Sequence, residues 1–209
     1  MIGTRVKKEI NDTFGYIRKN LLKRTAIVGL VFVALAILSG IGFYNNPEQS
    51  GELLKSLSEE MSDVVKEDGT ISLVGLFANN LFACAVSIGL GVIPLLFLPA
   101  FSILANSIVI GALLGYGEAT STMVAWKSVV FGMLPHGIFE LTAMFMSATM
   151  GLYLCKIITL KILGKGNEGI WNTINEMVRA FVLVLIPLLI IAAVVECYLT
   201  PLIIGVTGL

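Results

Sequence analysis

One imidazole and two carboxylates stand inside stretches that are otherwise apolar. His136 and Glu140 lie four residues apart in Leu134-Pro135-His136-Gly137-Ile138-Phe139-Glu140-Leu141, and Glu196 interrupts a second apolar run that begins near Ala180. Placing such groups in lipid is costly, so they face a partner, a cavity or water, and they mark ion and substrate pathways. A spacing of four puts His136 and Glu140 on one helical face. Two carboxylates there can bind a cation or a proton. One histidine and two carboxylates can also hold Zn²⁺ or Fe²⁺.

Metal-dependent catalysis is the least favoured use of these groups. The chain has a single histidine, and the two-histidine zinc-helix pattern HExxH is absent. No GxSxG nucleophile motif occurs either. The chain is therefore expected not to be an enzyme and to carry no cofactor, with a metal left unassigned. Cys84, Cys155 and Cys197 all fall in apolar runs. An odd count without CxxC spacing argues against a disulfide framework or a zinc site, so they read as small packing residues.

The elements that must position the acids are membrane helices. Apolar residues make up 56% of the chain and charged residues 13%, and mean hydropathy is +0.92. Together these define an integral membrane protein. Thr25–Tyr44 is one uncharged span, and no charge occurs from residue 69 to residue 117, room for two helices and a turn. A fourth span covers Ser128–Cys155 and a fifth begins near Ala180. The fold class is thus all-α: a polytopic transmembrane helical bundle over 1–209, with five spans and amphipathic helices beside them. Ser128–Leu134 is helical in pattern but too short to cross, which allows a sixth, re-entrant half-helix. Pro135 is expected to start the main helix of the fourth span, leaving partial positive charge beside His136.

Loop charges orient the chain. Residues 1–24 carry Arg5, Lys7, Lys8, Arg18, Lys19, Lys23 and Arg24, and residues 156–179 carry Lys156, Lys161, Lys165 and Arg179. The segment 45–70 instead holds seven acids against Lys55 and Lys66. A multi-pass protein of the cell membrane is expected, with a cytoplasmic N-terminus and an external C-terminus. No cleavable signal is evident, because the first apolar run starts late and is full length.

Within 1–24, Ile2, Val6, Ile10, Phe14, Ile17 and Leu21 recur at helical spacing beside basic residues. That stripe suits a helix lying on the cytoplasmic leaflet, or one packed into a small cytoplasmic layer. Leu53, Leu54, Leu57, Met61, Val64 and Val65 form an external stripe with an acidic opposite face. It is expected to cover the external mouth of the bundle or meet a partner. A third stripe, Ile170, Trp171, Ile174, Met177, Val178 and Phe181, offers Trp171 as an interfacial anchor. The turn Pro94–Pro99 is wholly apolar, so it belongs among helices or in the cytoplasmic interface. Gly111 and Gly115 form a GxxxG pair, read first as packing within one subunit and second as a dimer face.

Depth links these parts. At about 1.5 Å per residue, Glu140 lies about 24 Å from Lys156 and Glu196 about 26 Å from Arg179. Asn79 and Asn106 come out about 12 and 15 Å below the outer surface. A single layer in the outer half of the membrane is expected to gather Asn79, Asn80, Asn106, Ser107, His136, Glu140 and Glu196. The asparagines could equally bond helix to helix.

Leu134–Ala143 (LPHGIFELTA), with Asn79-Asn80, Asn106 and the later Glu196…Thr200-Pro201, resembles the stage II sporulation protein M family of membrane proteins. The resemblance covers the chain from about Ile71 onward. It implies a bundle of five or six helices. In spore formers the namesake works in a membrane-anchored complex with peptidoglycan-degrading partners, so membrane or envelope protein partners are implied. Nothing in this chain is itself a peptidoglycan hydrolase motif.

Two functions remain in contention. The favoured one is transport or conduction of a small solute, ion or lipid group through the polar layer, by a homodimer in the lipid bilayer. The other is a non-enzymatic scaffold for membrane remodelling or envelope assembly. No nucleic acid is expected as a partner.

Overall fold

The structure is a computed structural model and describes residues 2–60, 72–166 and 169–207. Six continuous helical rods and no strand occur among the described residues. Five are long and apolar enough to cross a membrane: Lys7–Tyr44, Leu73–Val92, Pro99–Ala119, Ala125–Ile162 and Ile170–Val206. The expected five-span bundle is therefore present. The first rod is α1 (Ile2–Tyr16) and α2 (Leu22–Tyr44), joined by a π-helical turn at Ile17–Leu21. Next come α3 (Pro47–Glu60), α4 (Leu73–Gly89) and α5 (Pro99–Ala119). The fourth crossing is a short α6 (Ala125–Lys127), a π-helical Ser128–Met133 and α7 (Leu134–Ile162). The fifth is α8 (Ile170–Ala180), α9 (Ile186–Val194) and α10 (Thr200–Thr207), with π-helical segments at Phe181–Leu185 and Val195–Leu199.

Ser128–Leu134 is not a re-entrant half-helix. It continues into α7 without a break, and Pro135 does not open a new helix. Proline has no N–H, and its ring collides with the carbonyl four residues back. A wider turn removes that carbonyl from the ring. The residue before each of three prolines bonds five residues back: Leu134 N–H to Val129 O, Ile186 N–H to Phe181 O, and Thr200 N–H to Val195 O. Pro135, Pro187 and Pro201 follow directly. Because the turn before His136 is bonded in this way, the expected free helix N-terminus is not there.

The helix α7 is the central rod. Met146, Ser147, Ala148, Thr149, Met150 and Gly151 are consecutively buried, so every face of that stretch is covered. It packs against α2, α4, α5 and α9. Small residues make this feasible, since without a hydrophobic drive in lipid the helices associate by close packing. The pair α2 and α5 runs parallel: Phe32 clusters with Ile103, and Gly40 faces Gly111 and Gly115. A Cβ on Gly111 would run into Ser39 Oγ and come within 2.7 Å of Ala36 O. Ser39 Oγ also donates to Ser107 O at 3.2 Å. The GxxxG pair thus serves packing inside the subunit.

The apolar turn before α5 is held by α7. Leu95 and Phe97 have φ of 70° and 47°, a left-handed backbone that non-glycine residues rarely adopt. Leu95 N–H donates to Thr159 Oγ1 at 2.9 Å, and Cys155 Sγ lies 3.3 Å from Ile93 O. Thr159→Val would leave the Leu95 amide without that acceptor, at a cost of about 1–3 kcal/mol. A lowered thermal midpoint in detergent, restored by Thr159→Ser, is the expected result.

One end of the bundle is basic. Arg24 lies 4.2 Å over the Tyr153 ring, and Arg24 and Lys156 line one depression with Phe97. Arg179 pairs with Glu9 at 3.3 Å and with Glu176 at 3.4 Å, tying α8 to α1. Ile17 and Leu21 enter the core while Ile10 and Phe14 stay exposed. At the other end, Ser50 of α3 is buried, and a Cβ on Gly51 would lie 3.2 Å from the Tyr116 ring of α5. Of the stripe expected to be external, Met61, Val64 and Val65 lie outside the described residues.

Candidate functional site

Three crossings converge on one point. The helix α7 brings His136 and Glu140, the π-helical segment before α10 brings Glu196, and α4 brings Asn80. One ligand atom from each of His136, Glu140 and Glu196 can be chosen so that all lie within 4.8 Å of one another. His136 Nε2 is 4.0 Å from Glu196 Oε2, with the two side chains 17% and 20% exposed. They are thus reachable from outside the protein yet mostly enclosed. The Asn80 side chain hydrogen-bonds Glu140.

The wide turn at Val195–Leu199 does local work. It places Val195 O where Thr200 Oγ1 can donate to it, at 3.3 Å. The same hydroxyl lies 3.3 Å from His136 Nδ1. With its proton directed to Val195, Thr200 Oγ1 presents a lone pair to the imidazole. Nδ1 then carries the ring proton, and Nε2 is left as an acceptor facing the acids. π-Helical turns are frequent at functional sites, and here one turn delivers both Glu196 and Thr200.

Four of the seven expected residues meet: His136, Glu140, Glu196 and Asn80. The hydrogen bonds or exposure of the other three lead elsewhere. Asn79 is exposed on the outer face of α4. Asn106 is exposed and donates to Ser102 O of its own helix at 2.8 Å. Ser107 is fully buried against α2, donating to Leu104 O and accepting from Ser39. Equal depth does not fix azimuth: each step along a helix turns the side chain by about 100°, so Asn79 faces out while Asn80 faces in. Sequence reasoning missed Thr200 as a positioning group. Its spacing of four from Glu196 was the available signal. Cys84 also approaches Glu140, but its thiol is engaged with Ser147.

Comparison with known proteins agrees with this architecture. A family model described as stage II sporulation protein M matches residues 27–201. An uncharacterized protein of Methanocaldococcus jannaschii, MJ0793, is 27% identical over 186 residues, covering 86% of this chain and 96% of that protein. No solved structure gives a significant match. The matched region runs from the first crossing to Pro201 and so contains every residue of the polar cluster: the chain belongs to the stage II sporulation protein M family of membrane proteins.

Proposed function

We propose that the chain is a non-catalytic membrane component that binds a small cation in this cluster and passes it through the bundle. The observation that carries the reading is the meeting of Glu140 and Glu196, from two separate crossings, with His136 inside 4.8 Å. Two carboxylates brought together in a medium of low dielectric constant repel, so their joint placement is costly unless a cation or proton is shared between them. No arginine or lysine forms an ion pair with either acid among the described residues. Both acids are partly exposed, so the cluster is not sealed within the chain. The experiment is flux: the protein reconstituted in liposomes with an internal ion-sensitive dye passes cations, and Glu140→Gln does not. Equal flux in the two would end the reading.

The basic end formed by Arg24, Lys156 and Arg179 supports a cytoplasmic N-terminus, because Lys and Arg accumulate on that side. Asn79 supports a homodimer. Its amide faces outward between Ala78 and Ala83, both exposed on α4. In lipid, small residues allow close helix approach and an asparagine bonds across the contact. Asn79→Leu is expected to shift the purified protein from dimer to monomer by light scattering. A monomeric wild-type protein would remove the dimer.

A further inference from the structure

We propose that His136, Glu140 and Glu196 form a three-ligand site for a first-row divalent metal ion of the Mn²⁺, Fe²⁺ and Zn²⁺ class, with Thr200 positioning the imidazole. The inference names the ion for the cluster and so rests on reading that cluster as a cation site.

Three independent features favour a divalent metal over a proton or an alkali ion. The first is charge. Two carboxylates carry two negative charges, and a divalent cation cancels both, whereas a proton or Na⁺ leaves one uncompensated. The second is the nitrogen. Thr200 Oγ1, spending its proton on Val195 O, holds the imidazole through Nδ1 and turns the Nε2 lone pair toward the acids. Metal-bound histidines are commonly fixed in this way by a second hydrogen bond. A proton shared by two acids needs no such nitrogen. Ca²⁺ and Mg²⁺ take oxygen ligands, whereas imidazole suits first-row transition metals.

The third is geometry. Ligands about 2.0–2.1 Å from a tetrahedral ion lie roughly 3.4 Å apart. The separation of 4.0 Å between His136 Nε2 and Glu196 Oε2 closes to that by a small side-chain rotation. Among the described residues neither carboxylate is paired with an arginine or lysine, so that rotation breaks no ion pair of theirs with a basic side chain. Three protein ligands leave a further coordination position to water. Cys84 does not join, since its sulfur falls outside the cluster.

The test is equilibrium binding to the full chain in detergent after chelator treatment. Mn²⁺ is titrated while free Mn²⁺ is read by electron paramagnetic resonance, then displaced with Zn²⁺, with Ca²⁺ as counter-probe. The expected result is one Mn²⁺ per chain, displaced by Zn²⁺ and not by equal Ca²⁺. Thr200→Val should weaken Mn²⁺ binding by about 10–100-fold, as loss of an outer-shell partner does, and Thr200→Ser should restore it. Glu140→Gln and Glu196→Gln should each weaken it more than Thr200→Val. Circular dichroism melts establish that each variant is folded. Absence of stoichiometric binding by the unaltered chain overturns the proposal. So does binding that survives both glutamine variants, or binding of Ca²⁺ as tight as that of Mn²⁺. Proton or Na⁺ flux without Mn²⁺ or Zn²⁺ binding overturns the metal and leaves the cation-passage reading standing. Stoichiometric metal binding without any flux does the reverse.

Discussion

Gly151→Val is expected to abolish recovery of folded, monodisperse protein from membranes. Gly151 lies where α7 meets two other chain segments at backbone distance. A Cβ there would run into Ser87 O of α4 and come within 2.7 Å of Pro99 Cγ at the start of α5. From the opposite side, a Cβ on Gly91 would lie 2.7 Å from Gly151 C and Cα. These neighbours are backbone and a proline ring, not flexible side-chain ends, so nothing local can yield. Overpacking of a core typically costs 1–3 kcal/mol and occasionally more. Here the obstruction is rigid and valine adds two γ-methyls, against a total stability of about 5–15 kcal/mol. The damage also reaches function. Moving α4 would break the Ser87–Ser102 bond of 3.1 Å and shift Asn80 away from Glu140. Size-exclusion profiles of a fluorescent fusion measure the effect. Gly89→Ala and Gly132→Ala are the controls, because a Cβ at either meets nothing within 4 Å. Normal recovery of Gly151→Val would mean that α4 and α7 are not packed this closely.

The bundle was legible because membrane crossing leaves a strong mark in one dimension: long uncharged runs divided by charged segments. That Glu140 and Glu196 reach one common level was legible for the same reason, since rise per residue is fixed. What depth cannot give is direction around the helix axis. Asn79 and Asn80 are adjacent in sequence and face differently; Asn106 and Ser107 likewise split between the surroundings and the contact with α2. The wide turns deepen the problem. Each extra residue per turn rotates everything that follows relative to a regular helix, so the face of Glu196 cannot be counted from Arg179 once Phe181–Leu185 and Val195–Leu199 have opened. Pro135 misled for a related reason. A proline in a long apolar run reads as a break or a helix start, yet one wide turn lets the rod pass straight through it.

Glu140→Gln is expected to reduce cation flux to the level of protein-free liposomes while leaving the protein as stable as before, or more so. The two outcomes have one cause. Glu140 and Glu196 lie within 4.8 Å of each other, and like charges at that distance repel by roughly 3 kcal/mol at an effective dielectric constant of about 20, less if a cation or proton is already shared. Glutamine removes one charge and keeps an oxygen able to accept from Asn80, so the packing contact survives and the repulsion goes. A binding site held at the expense of stability behaves in this way. The ion reverses the comparison. At 100 times its dissociation constant a bound ligand stabilises the folded chain by about 2.7 kcal/mol, which the unaltered protein gains and the variant lacks. Thermal melts with chelator and with Mn²⁺ therefore cross: the variant melts at or above the unaltered protein without metal, and below it with metal. If Glu140→Gln melts lower than the unaltered protein in chelator, the carboxylate is holding the bundle together, and its place beside Glu196 serves structure.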